Sequence, residues 1–125
     1  MKKTFISDQA KDFRLTFRVS NSKGRIPRKK QLDLIIEEFR EFLQADSVLY
    51  QRDSEEPCLK ELADLCYVCW QYAENMGWNL DEALNRVHIS NMSKLDEDGE
   101  PIFREDGKVL KGPNYKPPDL SDLIK

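Results

Sequence analysis

The sequence predicts an all-α protein, an antiparallel helical bundle that is completed by oligomerisation and followed by a tail. Apolar residues recur every three to four positions over residues 28–45 and 57–76, as they do in amphipathic helices. A composition of 39% hydrophobic and 34% charged residues suits a helix-rich protein with a modest core. The 125 residues predict one domain, 1–125, with a core of about 28–95 and a tail of 96–125.

The segment before the first long helix is shorter and less regular. The apolar spacing of residues 5–19 fits either a short helix or a short strand, and we favour a helix with Asp8 as its cap. Residues 21–24 predict a turn, because Asn21, Ser22 and Gly24 are residue types that favour turns. Pro27 follows at a helix start, where its missing N–H group leaves no hydrogen bond unmade.

The two long helices each have an apolar core face. In helix 28–45 that face contains Leu32, Ile35, Ile36, Phe39, Phe42 and Leu43. In helix 57–76 it contains Leu62, Leu65, Cys66, Cys69, Ala73 and Met76. Ser54 is the predicted N-cap of the second helix, and Gly77 is its predicted stop.

The remaining chain predicts one more helix and a tail with little regular structure. Residues 81–90 form a short helix with Ala83, Leu84 and Val87 directed inward. Residues 102–110 predict two short strands joined by a tight Asp106-Gly107 turn. The prolines that follow favour an extended course, so we expect a β-hairpin-like, extended C-terminal tail.

Charge and cysteine content exclude several classes of protein. The net charge of −3 gives no general affinity for nucleic acid or anionic membranes. No segment approaches the ~20 apolar residues that span a bilayer, and residues 1–4 lead into a polar stretch. We therefore expect a cytoplasmic protein.

Three cysteines, Cys58, Cys66 and Cys69, do not make a disulfide framework, and we interpret the Cys66-x-x-Cys69 pair as core.

Two acidic pairs lie on the two long predicted helices. Glu38 and Glu41 form the first pair, and Glu61 and Asp64 form the second. Residues three apart share a helical face, so antiparallel packing brings four carboxylates into one small volume. Carboxylates this close repel one another. Mg²⁺ or Mn²⁺ would neutralise their charge, because both ions prefer oxygen ligands. Solvated pairs without a ligand are the alternative interpretation, because acidic residues fill 23 of 125 positions.

Two further groups of polar residues are suited to phosphate. Asn91 and Lys94 lie at the end of the predicted helix 81–90, and Lys108 and Lys111 precede a Gly-Pro turn. The lysine ammonium group is a point charge that binds phosphate oxygens. Helix capping and an ordinary loop are the alternative interpretations of these two groups.

Together these motifs resemble the MazG-like all-α nucleoside triphosphate pyrophosphohydrolases, and within them the phosphoribosyl-ATP pyrophosphohydrolase-like subgroup. The resemblance covers roughly residues 28–120 and rests on the acidic pairs, on residues 87–95, and on the tail residues 106–113 and 117–120. It implies an all-α fold and a metal-dependent hydrolase. The carboxylates that it implies as Mg²⁺ ligands are Glu38, Glu41, Glu61 and Asp64.

The resemblance also implies which residues meet the substrate. Asn91 and Lys94 would contact the metal shell and the triphosphate. Many family members carry an arginine four residues after this lysine, where the present chain has Asp98. We expect the positive charge to come instead from the tail, where the candidates are Arg104, Lys108 and Lys111.

The expected reaction is Mg²⁺-dependent hydrolysis of a nucleoside triphosphate, with a deoxynucleotide as the favoured substrate, to the monophosphate and pyrophosphate. Glu38 or Glu41 is the expected catalytic base that accepts the proton of the attacking water. The alternatives are a non-catalytic dimeric helical regulatory module and hydrolysis of phosphoribosyl-ATP. The apolar faces of the two long helices predict a homodimer or homotetramer.

Overall fold

The computed structural model describes residues 5–51 and 53–124, and its regular secondary structure is helical. The α-helices in these residues are α1 Ile6–Thr16, α2 Arg25–Ser47, α3 Glu56–Met76 and α4 Leu80–Met92. Short 3₁₀ turns occupy Leu49–Gln51 and Ser121–Leu123. The all-α prediction is confirmed. The chain divides into two compact units, Met1–Asn79 and Leu80–Lys125, which are described separately below.

The first unit consists of a helical hairpin, α2 and α3, with α1 packed against α3. The short connection between α2 and α3 returns the chain, so that α3 runs back along α2. Pro57 lies in the first turn of α3, and Gly77 ends the helix with a left-handed φ of 75°. The predicted N-cap was wrong by one residue: Glu55 is the N-cap, and Ser54 Oγ accepts a hydrogen bond from the Glu56 N–H.

Few apolar side chains are buried within the single chain. Among the described residues the buried apolar ones are Ala10, Ala73 and Met76. On the predicted core face of α2, the exposed residues are Leu32, Ile36, Phe39 and Leu43. The predictions that Cys66 and Leu84 point inward were also wrong, since both are exposed. A helical period identifies an apolar face, but it does not identify which molecule covers that face.

A buried arginine fastens α1 to α3. Arg14 is only 4% exposed, and its guanidinium donates to Gln71 Oε1 at 3.2 Å and to Asn75 Oδ1 at 3.0 Å. It also donates to Asn21 Oδ1 at 2.6 Å and to the Ser20 carbonyl at 3.1 Å. Burial lowers the pKa of Arg14, and the nearby Glu74 carboxylate partly opposes that shift. These hydrogen bonds fix the loop after α1 against the end of α3.

In the second unit, the tail is held against α4 along most of its length. The Ser90 hydroxyl donates to the Lys116 carbonyl at 2.7 Å, and the Lys116 N–H donates to Ser93 Oγ at 3.0 Å. Gly112 approaches the end of α4 so closely that a Cβ atom there would lie 2.2 Å from the Leu95 carbonyl oxygen. Only glycine fits this contact without displacing the backbone.

The predicted hairpin segment contains a turn but little pairing. Phe103 and Val109 form an isolated antiparallel bridge, and Gly107 adopts a φ of 90° in the turn between them. The described residues contain no longer strand in this segment, where the sequence predicted two. A two-stranded hairpin with no further strand is marginal in water, which explains why pairing stops at one bridge.

None of the helices among the described residues is both long enough and apolar enough to cross a bilayer.

Candidate active site

The facing sides of α2 and α3 carry the four predicted carboxylates. Glu38 and Glu41 are one turn apart on α2, and Glu61 and Asp64 are one turn apart on α3. The helical hairpin places these turns beside each other, because both pairs lie near the connected ends of their helices. The local sequence therefore determines the spacing within each pair, and the hairpin brings the two pairs together.

Three of these carboxylates converge. Glu38, Glu61 and Asp64 each offer one oxygen, and the three oxygens lie within 4.8 Å of one another. Each of the three residues is half-buried. Oxygens on opposite sides of an octahedral Mg²⁺ ion lie about 4.2 Å apart, given Mg–O distances of about 2.1 Å. The observed spread is therefore close to the size of a divalent-cation shell.

Glu41 has a different position. It is exposed and contributes no oxygen to the converging group among the described residues. It borders the group closely enough to raise the pKa of Glu38. The structure thus separates the four predicted carboxylates into three that converge and one that borders them.

The electrostatics of the cluster favour a proton or a cation. The pKa of Glu38 is raised to about 7, first by burial, then by the hydrogen bond that the protonated Glu38 carboxyl donates to Glu41, and then by the negative charges of Glu41, Asp64 and Glu61. Burial disfavours the charged form, and like charges add to that cost. A cation that binds to such a carboxylate cluster reduces the repulsion between its negative charges.

Two oxygens of the cluster are buried without a hydrogen-bond donor. Glu38 Oε2 and Glu61 Oε2 are inaccessible to solvent and have no partner among the described residues. Buried polar atoms in proteins are almost always satisfied, so these two atoms are suited to a cation or a hydrogen-bond donor. The donor set consists entirely of carboxylate oxygen, which is the chemistry that Mg²⁺ and Mn²⁺ select. The residues therefore fit a divalent cation.

Lys60 lies next to the cluster, and the sequence interpretation did not include it. Its ammonium nitrogen is 2.6 Å from Asp64 Oδ2 and 3.6 Å from Glu61 Oε1. The side chain is 64% exposed, and an exposed ion pair of this kind contributes little to stability. The signal in the sequence is the four-residue spacing from Lys60 to Asp64, which places both on one helical face.

A cleft borders the cluster. Its volume is about 610 Å³, and Glu41, Lys60 and Glu61 contribute to its lining. Cavities of roughly 300–1,000 Å³ are typical of small-molecule sites. The cleft therefore gives a small ligand access to the acidic residues from the side on which Glu41 is exposed.

The predicted phosphate-binding residues belong to the second unit. Asn91 is exposed and Lys94 is half-buried at the end of α4, where both border a pocket of about 430 Å³. Lys108 and Lys111 are exposed in the tail. The Lys111 ammonium lies 4.8 Å from the centre of the Tyr115 ring, a cation–π contact that holds it near the backbone.

Comparison with known proteins agrees with this arrangement of helices and acids. The sequence model of the phosphoribosyl-ATP pyrophosphohydrolase family matches residues 10–91. That match covers all of α2 and α3, residues 10–16 of α1, and all of α4 except Met92. No curated protein matches the chain closely enough to serve as a relative. The chain therefore belongs to the phosphoribosyl-ATP pyrophosphohydrolase family, and it is a nucleotide pyrophosphohydrolase of the MazG-like superfamily.

Proposed function

We propose that this enzyme hydrolyses a nucleoside or deoxynucleoside triphosphate to the monophosphate and pyrophosphate, with Mg²⁺ as its metal. The observation that carries the proposal is the convergence of the Glu38, Glu61 and Asp64 oxygens within 4.8 Å. Two buried carboxylate oxygens without a donor support it further. The family match supports the class of reaction.

The proposed metal ligands are Glu38, Glu61 and Asp64, and Mn²⁺ is the alternative ion. A bound Mg²⁺ ion polarises phosphate oxygens and makes water more acidic. The cost of bringing three carboxylates together is offset when their charge is neutralised. The protein contributes a half-buried set of oxygens on two packed helices.

Glu41 is the proposed catalytic base. It is exposed toward the cleft and lies outside the converging group, so its carboxylate is available for proton transfer. Water attacks the α-phosphorus, the bond to the bridging oxygen breaks, and pyrophosphate leaves. The proton of the attacking water passes to the Glu41 carboxylate.

The second unit contributes the proposed substrate contacts. We assign Asn91 and Lys94 to the triphosphate, and Lys108 and Lys111 to the same phosphates. The support for this assignment is the motif in the sequence and the position of Lys94 at the lining of a pocket. The Lys94 ammonium would offset the charge that develops on the departing pyrophosphate.

We propose further that the enzyme is a homodimer or homotetramer. The support is a stripe of large apolar side chains, spaced three and four residues apart, that the single chain leaves exposed on α2, namely Leu32, Ile36, Phe39 and Leu43. Contiguous apolar surface of this kind marks a protein interface. A second copy of the chain is the occupant proposed for it.

The test is Mg²⁺-dependent pyrophosphate release from a panel of nucleoside and deoxynucleoside triphosphates, with phosphoribosyl-ATP assayed beside them. Glu38→Gln and Asp64→Asn should abolish release while circular dichroism shows an unchanged helical content. Asp46→Asn is the matched control, because Asp46 is an exposed carboxylate on the same helix as Glu38. Wild-type turnover in either cluster variant contradicts the metal assignment. Turnover of phosphoribosyl-ATP alone contradicts the proposed substrate class.

A further inference from the structure

A second cleft in the first unit is lined by positive charge. It lies at the end of α1, has a volume of about 650 Å³, and is bordered by Lys11, Arg14, Arg18 and Glu74. Glu74 is ten residues beyond Asp64 on α3, which is about 15 Å along the helix axis. This cleft is therefore separate from the carboxylate cluster, and the proposed reaction makes no use of it.

Three cations from the end of α1 and the turn after it border this cleft. Lys11 and Arg14 are three residues apart on α1, so their side chains emerge on the same side of the helix. Arg18 follows two residues beyond the end of α1. Among the ion pairs of the described residues, none involves Lys11 or Arg18. Two of the three charges bordering the cleft therefore have no carboxylate partner in that part of the chain.

The charge of the buried Arg14 is also not neutralised. All four of its hydrogen-bond acceptors are neutral amide or carbonyl oxygens. Glu74 is the nearby negative charge that favours the charged guanidinium. Buried charges in proteins are normally paired, and one carboxylate faces three cations here. The partial negative charge at the end of α1 amounts to about half an electron charge. It does not neutralise the two positive charges that remain after Glu74 is counted against the three cations.

The backbone at Arg18 adds an independent observation. Arg18 has a φ of 57°, and the N–H of Val19 donates to the Arg14 carbonyl at 2.8 Å. This is the helix-ending motif in which glycine is the usual residue at the left-handed position. An arginine is unfavourable there, because its Cβ atom crowds the backbone. Strained residues of this kind concentrate at functional sites.

We infer that this cleft binds the phosphate group of a small molecule of nucleotide size. A phosphate dianion supplies the negative charge that the three cations lack. The volume of about 650 Å³ exceeds what a phosphate ion needs and falls within the usual range for small ligands. Leu15, which is 80% exposed, and Val19 border the same cleft, and they offer an apolar surface to the rest of the ligand.

The test measures binding to the full chain in EDTA, with inorganic phosphate, AMP and ribose 5-phosphate as probes. Amide chemical shifts locate the binding, and calorimetry gives the dissociation constants. AMP should shift the amides of residues 11–21 and bind more tightly than inorganic phosphate. Comparison with ribose 5-phosphate distinguishes recognition of a nucleotide from recognition of a sugar phosphate. Failure of all three probes to shift these amides overturns the inference, and so does AMP binding no tighter than phosphate.

Three variants separate a binding role from a structural one. Arg18→Gly should raise the melting temperature, because glycine suits the left-handed position, and should weaken AMP binding at least tenfold. Lys11→Gln should weaken binding by a similar factor at an unchanged melting temperature. Glu74→Gln removes the opposing carboxylate and should tighten binding severalfold. Binding that is unchanged in both the Arg18 and Lys11 variants contradicts the inference. Loss of pyrophosphate release on cluster mutation does not affect it, since the two sites share no residue.

Discussion

Removal of one aromatic side chain from the exposed face of α2 should dissociate the enzyme. The apolar side chains of this face, Leu32, Ile36, Phe39 and Leu43, are 39–50% exposed in the single chain. Phe39, which is 47% exposed, lies near the middle of this apolar face.

The size of the effect follows from the area that a partner would cover. The exposed part of Phe39 amounts to about 100 Å², which corresponds to about 2.5 kcal/mol of transfer free energy. A symmetric dimer contains two copies of this residue, so Phe39→Ala should cost about 5 kcal/mol of association free energy. That cost weakens the dissociation constant by roughly 3,000-fold, at 1.4 kcal/mol per factor of ten.

Sedimentation velocity over a range of concentrations measures this change directly. Wild type should sediment as a dimer or tetramer at micromolar concentration, and Phe39→Ala should show a large monomer fraction. Lys30→Ala is the matched control, because Lys30 is exposed and lies on the opposite side of α2 from Phe39. A wild-type chain that sediments as a stable monomer refutes the reasoning, and so does a Phe39 variant with the association constant of the control.

Three further predictions concern the tail and the acidic cluster. Gly112→Ala should lower the free energy of unfolding by about 1–3 kcal/mol, measured by urea denaturation, because the new methyl group would lie 2.2 Å from the Leu95 carbonyl oxygen; an unchanged unfolding midpoint contradicts this. Arg86→Ala should speed hydrogen exchange in residues 119–124 at neutral pH. The Arg86 guanidinium lowers the pKa of Asp122, so its contribution is fully present above the ordinary pKa of an aspartate and should be lost as the pH falls below that value through the lowered pKa of Asp122. In EDTA, wild type should lose stability as the pH rises from 4.5 to about 7, because Glu38 binds a proton more tightly in the folded state. Glu38→Gln should remove this pH dependence and also remove the rise in melting temperature caused by millimolar Mg²⁺; a variant that keeps both contradicts the role of Glu38.

The helices were predictable because each has a local cause. The apolar period of α2 and α3 extends over several turns, and Pro57 and Gly77 lie at positions where they begin or end helices. The convergence of the acidic pairs followed from the hairpin, since the two pairs lie at similar distances from the connection. These features can be predicted from residues close in sequence and from the antiparallel packing of α2 and α3.

The features that the sequence did not predict depend on tertiary contacts. An apolar stripe has the same period whether it faces a core or a second subunit, so the exposure of Phe39 and Leu43 was not predictable. Burial of Arg14 depends on Gln71 and Asn75, more than fifty positions away in sequence. The separation of Glu41 from the other three carboxylates depends on how α2 packs against α3, since Glu61 and Asp64 have the same spacing of three residues and both converge.

Hydrolysis in ¹⁸O-labelled water, followed by ³¹P NMR, tests the central claim most directly. With Mg²⁺ present, the account predicts a nucleoside monophosphate that carries the label and pyrophosphate that does not, since water attacks the α-phosphorus. EDTA or Glu38→Gln should abolish both products. Labelled pyrophosphate, release of a diphosphate with orthophosphate, or turnover that survives removal of the metal would contradict the account.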